Sequence, residues 1–435
     1  MQGGNETEDK PIIDTIRVKL SDLLLCISNA QDLMAPHLSS HHQQVAYLSF
    51  RIAEELALPY EQIKSVFLAA LVHDIGALSI NEKLTLIDAE PFNANEHAFR
   101  SAKLFENFIP MRSAAPVIRY HHLPWDHGNG TQYQGKPVPY ECHILHLADR
   151  VCANLQNNHY DITHIQQLID NLGKQSSESF DPKLIEVIRK LAKKEYIWLD
   201  LISHSPIHNI LELGVFDVML ANIDDILALS EIFAQIIDFR SSFTARHSAG
   251  VASSAAALAE LLRFSAYECK MMEIAGYLHD LGKIVIPEEN LEKPGPLTED
   301  EFSIIRSHSY YTYQLLQPIK QFHSILLWAS YHHEKPNGSG YPFHIKETNL
   351  PLGARIIAVA DVFTALKEDR PYRKGMDNEQ TKQILLQMAA ERCLDENVVC
   401  TLMEHFGTVN SARTKGQYEA AIRYGEFLRS DLHSL

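Results

Sequence analysis

One ordered set of histidines and aspartates occurs twice in this chain. In the second half it runs His247, His279-Asp280, His308, His332-His333, Asp361. In the first half it runs His42, His73-Asp74, His97, His121-His122, Asp149. The first three gaps between leading members are 32, 29 and 24 residues in the second half, and 31, 24 and 24 in the first. The neighbours agree as well: Leu71-Val-His-Asp-Ile-Gly76 matches Leu278-His-Asp-Leu-Gly282, and Leu147-Ala-Asp149 matches Val359-Ala-Asp361. Matched order and spacing imply one ancestral domain, duplicated in tandem. The boundary is expected near residues 195–210, giving domains at 1–200 and 201–435.

A single histidine on a helix is most often a satisfied core or surface residue. Five histidines and two aspartates in a fixed order, twice over, are a different matter. Neutral imidazoles and carboxylates together suit zinc, iron, manganese, nickel or cobalt. Seven such side chains exceed the needs of one ion. They suit two ions about 3.5–4 Å apart, the spacing that clamps an in-line phosphoryl displacement. Asp280 or Asp361 is placed to bridge such a pair, since a carboxylate offers two oxygens.

The expected fold is all-α. Leu-, Ala- and Ile-rich stretches recur at helical spacing, and alternating strand patterns are scarce. Thr298-Glu-Asp-Glu301 and Asp377-Asn-Glu-Gln380 have the form of helix-starting capping boxes. Pro336-Asn-Gly-Ser-Gly-Tyr-Pro342 marks a loop. The net charge of −16 leaves no basic stripe for a nucleic-acid duplex, so polymeric DNA or RNA is not an expected partner. None of the six cysteines forms a CxxC pair, consistent with free thiols in a reducing cytoplasm. No membrane span is expected. The richest apolar stretch, Asn209–Ile237, is interrupted by Glu212, Asp217, Asp224, Asp225 and Glu231, and reads as helix in water.

The surroundings of the second set are specific. His279-Asp-Leu-Gly-Lys283 is followed by Lys293-Pro294-Gly295, His332-His-Glu334, Asn337-Gly-Ser-Gly-Tyr-Pro342, Val359-Ala-Asp361 and Asp369-Arg-Pro-Tyr-Arg373. Over about residues 235–395 this resembles the HD-GYP family, which takes its name in part from Gly340-Tyr341-Pro342. The resemblance implies an α-helical HD fold in a bacterial cytoplasmic protein. It implies two, in some relatives three, divalent metals, iron or manganese first among them. It implies hydrolysis of a small cyclic dinucleotide, cyclic di-GMP or 3',3'-cyclic GMP-AMP, to a linear product. Carried onto this chain, the metal ligands are His247, His279, Asp280, His308, His332, His333 and Asp361, with Asp238 a candidate extra ligand. Asp280 and Lys283 are the expected catalytic pair. Lys283, one turn beyond His279, would protonate the leaving oxygen or stabilise its charge. Tyr341 would stack on a base, and Arg370 and Arg373 would grip phosphate or a guanine edge.

Two departures stand out: Asn337 replaces the family's usual Asp, and Thr364 replaces another. The first copy resembles a degenerate HD domain. Ala77 stands where Lys283 does, its loop lacks Gly-Tyr-Pro, and nothing like Arg370–Arg373 follows Asp149. A regulatory or scaffolding role fits it. Two other functions compete: a non-catalytic cyclic dinucleotide sensor, and an HD-superfamily hydrolase of another nucleotide. Oligomeric state is not legible in the sequence.

Overall fold

The computed structural model describes residues 16–33, 40–77, 79–88, 95–157, 161–212, 214, 219–220, 222–239, 246–291, 293, 295–369 and 374–431. Among them the fold is helical, as expected. The first half contains α1 (Leu20–Leu33), α2 (His41–Glu55), α3 (Tyr60–Ala70), α4 (Ile80–Asp88), α5 (Asn95–Phe105), α6 (Ala114–Arg119) and α7 (Glu141–Asn157). A connecting group follows: α8 (Ile165–Gly173), α9 (Pro182–Leu191), α10 (Glu195–Leu201) and α11 (His208–Glu212). The second half contains α12 (Ile223–Phe239), α13 (His247–Leu261), α14 (Ala266–Leu278), α15 (Glu288–Leu291), α16 (Glu299–Leu316), α17 (His323–Ser330) and α18 (Leu352–Lys367). It closes with α19 (Asn378–Ala390), α20 (Glu396–Glu404) and α21 (Phe406–Asp431).

Among the described residues, strands are confined to residue pairs: β1 (Val18–Lys19) with β4 (Met219–Leu220), and β2 (Gln132–Tyr133) with β3 (Lys136–Pro137), both antiparallel. The stretch Asn209–Ile237, expected as helix, is divided. It holds the end of α11, then β4, then most of α12. Among the described residues no helix is long and apolar enough to cross a membrane.

Local chemistry explains the helix starts. Thr298 and Glu301 form the expected capping box at α16, and Ser265 with Glu268 forms another at α14. Asp377 caps α19 by accepting from Gln380 N at 2.8 Å.

The halves share one apolar core, running from Val18 to Phe427. Each copy's leading helix reaches toward the other copy. The segment entering α1 pairs β1 with β4, and Ile16 N donates to Tyr267 Oη of α14 at 2.7 Å. Helix α1 then packs on α16 and on a 3-10 turn at Leu281–Val285. Conversely, α12 and α21 face α5 across a cavity of about 240 Å³.

Candidate metal centre and active site

Helix ends bring the second set together. His247 opens α13, and His279 caps the C-terminus of α14 with Asp280 next to it. His308 lies in α16, His332 and His333 follow α17, and Asp361 lies in α18. Gly282 makes the assembly possible. A Cβ there would lie 2.0 Å from His308 O, so only glycine lets α16 approach the 3-10 turn this closely. Gly76 serves the same purpose against His97 O in the first copy.

The donor atoms form two groups, His247/His279/Asp280 and His308/His332/His333, each within 4.8 Å. Asp280 faces both: Oδ2 lies 3.1 Å from His279 Nε2, and Oδ1 lies 3.4 Å from His308 Nε2. Asp361 Oδ1 sits 3.1 Å from His247 Nε2. Asp238 belongs to neither group; it accepts from Ser248 Oγ at 3.0 Å, and burial pushes its carboxyl well above the usual range.

The ring nitrogens show why the pocket suits metal. His279, His308 and His332 each direct Nδ1 at the backbone carbonyl three residues earlier: Gly276 at 2.7 Å, Ile305 at 2.6 Å and Ala329 at 2.6 Å. A carbonyl only accepts, so each Nδ1 carries the proton and each Nε2 offers a lone pair. His308 Nε2 and His332 Nε2 are 3.4 Å apart, and His279 Nε2 is buried without a hydrogen-bond partner. Burial lowers His308 to about 4 and His333 to about 3, which keeps both neutral. Burial opposes ionisation of Asp280, but His279 and Lys283 outweigh it and hold the carboxyl well below its ordinary range. Converging imidazole lone pairs around ionised carboxylates are a donor set for divalent cations.

His247 is oriented differently. Its Nδ1 meets Glu368 Oε2 at 2.9 Å, and Glu368 in turn accepts from Gln417 Nε2 at 2.6 Å. Burial would depress His247, but Glu368 and Asp361 raise it to about 10. A bound cation would displace the Nε2 proton while Glu368 keeps the one on Nδ1.

Lys283 does not continue α14. It lies on the 3-10 turn, yet its Nζ reaches Asp280 Oδ2 at 2.5 Å. The Tyr341 ring packs on His333, 4.9 Å between centroids, with the Arg306 guanidinium 5.6 Å away. It therefore buttresses a ligand instead of standing apart from the cluster. The loop carrying it is fastened by Glu334, which accepts from the backbone N–H of Phe343 (2.7 Å), His344 (3.1 Å) and Ile345 (2.9 Å). Gly340 is required, since a Cβ would meet Glu334 Cα at 2.4 Å. Arg370 and Arg373 lie outside the described residues.

The first copy corrects one expectation. His42 is not in its cluster; His41 is. His41 opens α2 as His247 opens α13, and it lies 32 residues before His73, the spacing from His247 to His279. His41 Nε2 approaches Asp149 Oδ1 at 3.1 Å, while His42 spends its Nδ1 on Asp32 Oδ1 at 2.7 Å. Consecutive helical residues point about 100° apart, so only one of them faces the cluster. The donor groups are His41/His73/Asp149 and Asp74/His97/His121/His122.

Comparison with known proteins agrees with this architecture. HD-domain models match residues 38–154 and 231–398. The 3'3'-cGAMP-specific phosphodiesterase 1 of Vibrio cholerae is 30% identical over 391 residues, spanning 88% of this chain and 90% of that protein. This chain belongs to the HD-GYP family. The cyclic di-GMP phosphodiesterase response regulator RpfG of Xanthomonas campestris is 42% identical over 144 residues, 33% of this HD-GYP chain and 38% of that protein. The crystal structure of V-cGAP3, a cyclic GMP-AMP specific phosphodiesterase of V. cholerae, superimposes with a TM-score of 0.63. At 22% identity it covers 90% of this chain and 98% of its own, and shows the shared fold.

The departures from the HD-GYP pattern now have locations. Asn337 Oδ1 accepts from Ser339 N at 2.9 Å, which Asp would also do, but its Nδ2 donates to Glu391 O at 3.2 Å, which Asp cannot. Thr364 is fully buried, and the space for a Cβ on Gly250 abuts its methyl. Sequence reasoning missed Glu368, the fastening role of Glu334, and Arg306. Glu368 did carry a signal, since it lies two helical turns beyond Asp361.

Proposed function

We propose that the second copy hydrolyses one phosphodiester of a 3',3'-cyclic dinucleotide, with cyclic GMP-AMP preferred over cyclic di-GMP. The observation that carries the reading is Asp280 facing both donor groups, with the Lys283 ammonium on the same carboxylate. The substrate preference rests on the V. cholerae relative that matches nearly the whole chain, both copies included.

His247, His279, Asp280 and Asp361 would hold one ion, and His308, His332 and His333 the other, with Asp280 between them. Iron or manganese suits this mixed set. Such a pair supplies Lewis-acid polarisation of phosphoryl oxygens and lowers the pKa of water toward neutrality. The chain supplies the rest. Water gives up a proton to solvent as its oxygen adds to phosphorus, the P–O3' bond breaks, and the leaving O3' takes a proton. Lys283 Nζ is the donor placed for it. The fields of Asp280 and Asp361 outweigh burial and keep Lys283 charged. Tyr341 and Arg306 form the wall against which a base would rest. Arg370 and Arg373 are proposed to hold phosphate. Residues 1–200 form a regulatory HD domain and residues 201–435 the catalytic one, in a bacterial cytoplasmic protein.

The test is product analysis with each cyclic dinucleotide in turn, on protein loaded with Fe(II) or Mn(II). Linear dinucleotide from the wild type and none from Asp280→Ala is expected, with the faster rate on cyclic GMP-AMP. Binding without turnover would replace the enzyme with a sensor.

A further inference from the structure

We infer that the first copy encloses a divalent metal permanently, and that helix α4, through Lys83 and the Arg150 it anchors, seals it against phosphodiesters. The inference concerns metal retention and does not depend on the second copy's substrate.

In the first-copy pocket the donor atoms meet one another and little else: His41 Nε2 lies 3.1 Å from Asp149 Oδ1, and His97 Nε2 lies 2.9 Å from Asp74 Oδ1. His41 Nε2, His73 Nε2, His121 Nε2 and Asp149 Oδ1 are all buried and make no hydrogen bond. His73 and His121 point Nδ1 at backbone carbonyls (Ala70 at 2.9 Å, Ile118 at 2.7 Å), which leaves Nε2 as the free lone pair, as in the second copy. Buried polar atoms without partners are rare in folded proteins, and the converging donors of His41, His73 and Asp149 call for a shared cation.

The same pocket is shut. His41, His73, Asp74, His97, His121, His122 and Asp149 are all at most 5% exposed. In the second copy His333, Asp361 and Lys283 remain half-buried, on an open side. The difference lies in α4. Its Lys83 is fully buried and donates to Gln31 O at 3.0 Å, with Asp32 Oδ1 at 3.5 Å. Arg150, where the second copy has Val362, donates to Asp149 Oδ2 at 2.7 Å and to Leu86 O of α4 at 2.9 Å. Arg100 binds Gly76 O at 2.9 Å and also Glu82 of α4. Three cations thus fasten one helix across the site. Ala77 had suggested a copy stripped of its lysine; Lys83 supplies one from another element, with no open side toward which it could donate.

Metal content is the test, measured by plasma mass spectrometry on the full chain. In the variant His279→Ala with Asp280→Ala, at least about one equivalent should survive dialysis against a chelator, as closed structural sites retain theirs. A folded variant with no metal overturns the inference. On the wild type, chelator extraction should show two phases. The second should be about 100-fold slower, because release requires local opening of α4. A single fast phase also overturns it. Lys83→Ala should convert the slow phase to a fast one; an unchanged slow phase removes α4 as the seal.

Discussion

Glu368 holds the Nδ1 side of His247 at 2.9 Å while Asp361 approaches the Nε2 side at 3.1 Å. One carboxylate orients the ring and the other shares its metal-facing edge. The first copy has Gln156 at the position of Glu368, and the Nδ1 of its His41 has no hydrogen-bond partner. The two copies therefore differ in how firmly they aim the same ligand.

Replacing Glu368 by Gln should weaken metal binding by about 10-fold or more, the usual cost of losing a partner that orients a ligand. Manganese titration followed by calorimetry would show it. Saturating metal should restore most of kcat, which sets a positioning residue apart from a catalytic one.

Lys283→Met should lower kcat by about 10²–10⁴-fold, the range for a lost general acid. KM and metal content should stay near the wild-type values. A substrate with a better leaving group should recover much of the loss, because it no longer needs the proton.

Glu334→Ala should free the loop that carries Tyr341. Three backbone N–H groups lose their acceptor, and the cost is roughly 2–4 kcal/mol where they stay buried. Hydrogen exchange at residues 339–345 should accelerate while α13 and α18 stay protected. kcat/KM should fall mainly through KM.

Glu273 on α14 predicts a pH dependence. Burial, then the nearby Glu231, raises its carboxyl above the ordinary 4.5. The fold prefers the protonated form, so this contribution is complete below pH 4.5 and is lost as pH rises through the raised value. Glu273→Gln should therefore melt about 1–2 °C above wild type near pH 7.5, a modest gain because the group is partly solvated. Near pH 4 the two should melt together. A gain of equal size at both values would refute the electrostatic account.

The ligand set was legible because its order and spacing are linear features, repeated with the same neighbours. Capping chemistry at Thr298 was legible for the same reason: the partners lie three residues apart. Glu368 and Gln417 are 49 residues apart, and Lys83 and Gln31 are 52 apart, so no local pattern links them. The choice between His41 and His42 also lay beyond local reading. Both are buried imidazoles at one helix start, and the packing of α1 with its Asp32 decides which of them faces the cluster.

The sequence by itself determined the helical class, the duplication and the chemistry of the donor atoms, because side-chain type and periodicity fix those. Tertiary structure decided which copy is open. Glu334 fastening the loop around Tyr341, and α4 lying across the first copy with Lys83 inside, are long-range arrangements. They depend on how whole helices pack, and the same ligands can sit beneath either one.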